Sequence, residues 1–98
     1  MTRQEAINLI GSLAPQARAL GVTGLYVFGS TARDEATPSS DLDIFVEYDP
    51  DRRFSLLDLL RVKHLVEDAG ASSVDITTRT GLHPVLRAAI EREAIRVF

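Results

Sequence analysis

The chain contains no cysteine, which excludes disulfide bridges and thiolate-held metal centres, so any metal must be bound by oxygen or imidazole. It contains no tryptophan, and no apolar run comes near the roughly 20 residues of a membrane span. The opening MTRQEAINLIGSLAP lacks the uninterrupted apolar stretch of a secretory signal, from which we expect a cytoplasmic protein with no membrane partner. Basic charge is also short. Against 14 Asp and Glu there are 11 Lys and Arg, a net −3, which argues against the broad basic surface by which proteins hold long nucleic acid unaided.

What is present suits a folded protein: 45% hydrophobic and 26% charged over 98 residues lie far from the composition of disorder, and we expect one domain over residues 1–98. The steps between Ile7, Ile10, Leu13, Ala17 and Leu20 predict a helix from Thr2 to about Leu20, kinked or restarted at Pro15 and stopped at Gly21. Gly24 to Phe28 reads as a buried strand ending at Gly29. A second strand, Asp41 to about Tyr48, alternates, with Leu42, Ile44, Val46 and Tyr48 facing a core and Asp41, Asp43, Phe45 and Glu47 on an open, charged face.

Ser55 and Asp58 form a capping box for a helix that points Leu56, Leu57, Leu60, Val62, Leu65 and Val66 inward and ends at Gly70. Ser73 to Thr77 is a third strand. His83 to Glu93 is a last helix with Pro84 in its first turn and an apolar face of Leu82, Val85, Leu86, Ala89 and Ile90. The alternating tail 94–98 predicts an edge strand. Strands separated by helices give an α/β (α+β) fold, a small mixed β-sheet with helices packed on one face.

The chemistry lies in a spaced set of polar residues. Gly29-Ser30 is followed by ten residues and then Asp41-Leu42-Asp43. Aspartate is disfavoured in strands, and two of them at i and i+2 point to the same side, where their charges repel. A divalent cation compensates that repulsion; Mg²⁺ takes one or two carboxylates and completes its shell with phosphates and water. Asp75, with Val74 and Ile76 facing the other way, supplies a third carboxylate. Gly29 permits close backbone approach, amides at a turn entering a helix receive phosphate, and the Ser30 hydroxyl adds a donor. Arg33 either reaches a phosphate or pairs on the surface with Asp34 or Glu35.

Each of these residues has a plainer reading alone: Gly-Ser as a common turn, Asp41 as a strand-start residue, Asp43 and Glu47 as a solvated strand face. Together they do not, since four fixed positions at roughly 5–7% usage arise by chance in about one chain of this size per thousand. His64 and His83 have no second His or Cys beside them and read as helix-surface or capping residues. Arg87, Arg92 and Arg96 form a solvated face or a surface for a partner.

This glycine-serine, aspartate-x-aspartate pattern resembles the signature of the DNA polymerase β-like nucleotidyltransferase superfamily. With LYVFGSTAR, SDLDIFVEY, SSVDITT and HPVLRAAIEREAI, the whole chain is similar to its minimal nucleotidyltransferase branch. The resemblance implies the nucleotidyltransferase fold and a nucleoside triphosphate, ATP in the first instance, bound with two Mg²⁺ ions. It implies Asp41 and Asp43 as metal ligands, Asp75 as a ligand of the second ion that also activates the attacking hydroxyl, and Gly29, Ser30 and Arg33 as the nucleotide-binding residues.

Larger relatives carry an extra domain that grips the acceptor, and 98 residues leave no room for one, so we expect the acceptor on a partner. Members of the minimal branch often act as antitoxins that add AMP to a tyrosine of a HEPN-family ribonuclease toxin. The alternative is a non-catalytic antitoxin that neutralises its partner by contact and keeps the metal site as a relic. The presence of all three carboxylates argues against that alternative.

Overall fold

The computed structural model describes residues 1–98. The first helical segment is two helices, α1 (Arg3–Ser12) and α2 (Ala14–Ala19). Thr2 and Glu5 cap α1 reciprocally, and the break falls at Leu13 because Pro15, in the first turn of α2, has no N–H with which to continue the ladder. Gly21 at φ 107° then turns the chain into β1 (Val22–Phe28). One turn of helix, α3 (Gly29–Ala32), and a polar loop lead to β2 (Leu42–Tyr48). The predicted Ser55–Asp58 capping box opens α4 (Leu56–Asp68), which carries the chain to β3 (Val74–Thr78); α5 (Arg87–Glu93) and β4 (Ile95–Arg96) finish it.

The strands form one mixed sheet in the order β3-β2-β1-β4. β2 and β3 run parallel, as a crossover through a helix requires, whereas β1 is antiparallel to both β2 and β4. Leu25 and Val27 of β1, Ile44 and Val46 of β2 and Val74 of β3 pack against Ala6, Ile10, Ala17, Val62 and Val66 of the helices. The expected fold, a mixed sheet with helices on one face, is what the chain builds.

Four sequence-based expectations change in detail, the first being the core-facing place of Tyr48, which is 36% exposed and stacks on Phe54 at 4.9 Å. Phe45, placed on an open charged face, is 0% exposed. Its ring stacks on Tyr26 at 4.6 Å and meets Phe28 at 5.7 Å, while the guanidinium of Arg79 lies 5.2 Å above it. In α4 only Val62 and Val66 are fully buried, with Leu59 and Leu65 packed alongside; that stripe directs Leu57 and Leu60 outward, and Leu56 in the first turn is 72% exposed.

The last helix starts at Arg87 rather than His83, since the residue before a proline is held out of helical geometry and the His83 ring accepts the Val85 N–H at 3.2 Å. Leu82 is buried, but Val85 and Leu86 stay outside the core.

Replacing Phe45 with alanine should therefore cost about 3–5 kcal/mol in urea unfolding, whereas Leu57→Ser should stay within about 0.5 kcal/mol of wild type. Similar small losses for the two variants would show that the aromatic layer does not hold that face.

Candidate active site

Asp43 stands at the point where three strands meet in register. Its Cα pairs with Phe28 at the end of β1 on one side and with Asp75 of β3 on the other. Leu42 and Ile44 point into the core, so Asp43 takes the opposite face, and the matching pairs Leu42↔Val74 and Ile44↔Ile76 put Asp75 on that same face. Asp41 lies one residue before β2 and is exposed, as is Asp75; Asp43 is half-buried.

Gly29 follows β1 directly, at φ 71°. A Cβ there would collide with the Asp43 carboxylate, 3.2 Å from its Cγ. The glycine thus lets the Asp43 side chain lie against the start of α3, which brings the carboxylates and the turn expected to receive phosphate side by side. Ser30 is the second residue of α3, with its side chain half-exposed.

Crowding shows in the titration of Asp43. Burial, and then the charges of Asp75 and Asp41, hold its carboxyl above the ordinary carboxylate range; Arg33 opposes this and Glu93 adds to it. The chemistry of the donors suits a divalent cation: hard carboxylate oxygens, with Asp43 and Asp75 in register on neighbouring strands and Asp43 disfavoured as an anion by its neighbours. No three acidic or imidazole groups close around a single point as the side chains stand. Mg²⁺ does not need such a cage, because phosphates and water fill most of its shell.

Arg33 has both its partners on the protein. Its Nε donates to Glu35 at 3.2 Å and its Nη1 to Glu93 at 3.0 Å, which holds the guanidinium further into its charged form. The surface pairing expected with Asp34 or Glu35 is present with Glu35. The stronger attachment is to Glu93, a residue that sequence reasoning missed. Its carboxylate also accepts the Gly29 N–H at 3.0 Å. A clue existed: an acid at the last residue of a helix faces the negative end of the helix dipole and is unfavourable without a donor nearby.

Arg79 was missed as well. It pairs with Glu47 at 3.2 Å and Glu91 at 2.7 Å while lying over Tyr26 and Phe45. Neither His64 nor His83 reaches the aspartates; His64 lines a surface groove on the α4 side and His83 holds its own turn.

Known proteins resemble this chain in sequence and fold. The family model of the "Nucleotidyltransferase domain" matches residues 10–97. The chain belongs to that family. Among its relatives in Methanocaldococcus jannaschii, the "Putative protein adenylyltransferase MJ0435" is 42% identical over 78 residues, 80% of this chain and 82% of the relative. The "Putative protein adenylyltransferase MJ0126" is 35% identical over 78% of this chain and 76% of its own length.

A solved structure of a "putative minimal nucleotidyltransferase" superposes with a TM-score of 0.80 at 36% identity, covering 97% of this chain and 95% of that one. A nucleotidyltransferase structure from Sulfolobus solfataricus, also named putative, shares the fold alone, at 17% identity and a TM-score of 0.55 over 96% of this chain and 80% of its own.

Two outcomes follow for this nucleotidyltransferase. Because the folded state raises the Asp43 pKa, the unfolded chain releases that proton first; the group costs stability above its folded pKa, and the cost fades as pH falls through the folded and then the unfolded value. Asp43→Asn should thus be at least as stable as wild type at pH 7, with the difference vanishing below about pH 4. A variant that melts markedly lower at pH 7 would make Asp43 a structural residue. Gly29→Val should lose about 1–3 kcal/mol from its left-handed backbone alone, before the clash with Asp43. Thermal unfolding of that variant at the wild-type midpoint would refute this account of the turn.

Proposed function

We propose that this nucleotidyltransferase transfers AMP from ATP to a hydroxyl on another protein, a tyrosine of a HEPN-family toxin, and so acts as that toxin's antitoxin in the cytoplasm. The observation that carries the reading is the in-register pair Asp43 and Asp75 beside the Gly29-Ser30 turn, in a chain whose relatives bear the name protein adenylyltransferase.

In this reading Asp41, Asp43 and Asp75 would hold two Mg²⁺ ions, which would supply charge neutralisation at the phosphates and lower the barrier by several kcal/mol. Ser30, through its hydroxyl and its amide, receives the phosphate oxygens. The acceptor oxygen attacks the α-phosphorus, its new P–O bond replaces the bond to pyrophosphate, and Asp75 takes the hydroxyl proton. Asp41 and Asp75 are exposed and Asp43 is half-buried, so a protein acceptor can approach the carboxylates from solvent.

The test mixes the purified chain, Mg²⁺-ATP and a HEPN-family protein encoded beside it, and weighs the partner by intact mass spectrometry. An AMP-sized increment is expected. Asp41→Asn and Asp43→Asn should each reduce the rate about a thousandfold or more, on the scale of the charge stabilisation at stake. A partner that is bound and silenced yet unmodified would transfer the case to the contact-only antitoxin.

A further inference from the structure

One carboxylate holds both ends of the single-turn helix that bears Ser30. Glu93, the last residue of α5, accepts the N–H of Gly29, the first residue of α3, at 3.0 Å, and binds Nη1 of Arg33, the residue just after α3, at 3.0 and 3.3 Å. The Gly29 amide has no side-chain cap of its own, since the N-cap position is Phe28. These contacts span 64 and 60 residues of sequence, so they tie the C-terminal helix to the phosphate-side turn and are not local capping.

Glu93 also adds a negative charge close to Asp43 and sits at the unfavourable end of its own helix. A neutral side chain would avoid both penalties, and the ion pair with Arg33 that it would lose is half-exposed at the arginine and contributes little to stability. Occupation of the Gly29 N–H leaves Ser30, with its hydroxyl, as the first group of α3 free to meet a substrate, and commits the Arg33 guanidinium to the clamp.

We propose that Glu93 is a positioning residue of the transfer reaction, bridging Gly29 and Arg33 so that α3 presents Ser30 and its amide to the phosphates of the nucleotide. The proposal rests on the nucleotidyl-transfer reading. Loss of the bridge disturbs how phosphate is held in ground state and transition state alike, so it shows in nucleotide affinity.

The experiment compares wild type with Glu93→Ala, Glu93→Gln, Arg33→Ala and the Arg33→Ala, Glu93→Ala double variant. Thermal unfolding confirms that each is folded. Hydrogen exchange of the Gly29 amide is followed in nucleotide-free protein, and affinity for Mg²⁺ with α,β-methylene-ATP, which cannot release pyrophosphate, is measured by calorimetry.

Glu93→Ala should speed Gly29 exchange and weaken the nucleotide analogue, each about tenfold, the scale of one charge-assisted hydrogen bond. Glu93→Gln keeps an acceptor oxygen and should recover part of both, and the double variant should lose less than the sum of the single losses. Tighter binding by Glu93→Ala would overturn the proposal and make the carboxylate a stand-in for phosphate. Unchanged affinity with a lower melting point would overturn it in favour of a structural ion pair. A wild type that ignores the analogue although its Gly29 amide answers to Glu93 would bring down the nucleotide reading and the positioning role together, while an unresponsive amide would bring down the clamp itself.

Discussion

The pairing of β2 with β3 sets the position of everything at the acidic face. Leu42↔Val74 and Ile44↔Ile76 are core pairs, and between them Asp43 and Asp75 are forced into register on the opposite side. A slip of one residue would turn the aspartates into the core and the aliphatic chains out to water, so apolar burial, worth about 25 cal/mol per Å², fixes a register in which two carboxylates repel. The repulsion registers at Asp43, whose carboxyl is held above its ordinary range by burial and by its acidic neighbours. The acidic site is thus maintained by residues that never touch it.

The same face is graded along the strands. At the Asp43 level it is acidic; at the next level Tyr26 and Phe45 stack; beyond them Glu47 pairs with Arg79, which also reaches Glu91 of α5. The aromatic step places apolar area between the carboxylates and the ion pairs, and Arg79 spreads its planar cation over both rings. Through Glu91 and Glu93 the short helix α5 grips both ends of this gradient, although none of its residues is fully buried. Its attachment is therefore largely polar, unlike that of α4, which is anchored by Val62 and Val66.

Much of this was legible in the sequence wherever periodicity and local chemistry agree. The Ser55–Asp58 capping box, the break near Pro15, the edge strand at the tail and the shared face of Asp43 and Asp75 all follow from spacing within a few residues. What escaped depends on contacts between distant segments. Phe45 alternates with aspartate and glutamate, and nothing local announces that Tyr26 and Arg79 will cover it. Glu93 acts 64 residues away from the amide it binds. The inward assignment of Leu56, Leu57 and Leu60 failed for a different reason: α4 is leucine-rich on several sides, so hydrophobicity alone could not say which stripe meets the sheet.

Gly29 shows how a motif residue can carry two requirements at once. Its left-handed backbone and the contact with Asp43 both exclude a side chain, before any substrate is considered. With Glu93 on its amide, the glycine's part is to let a strand-borne carboxylate and a helix start occupy adjacent space. The distance between the Asp43 carboxylate and the Gly29-Ser30 turn is then a property of the backbone itself.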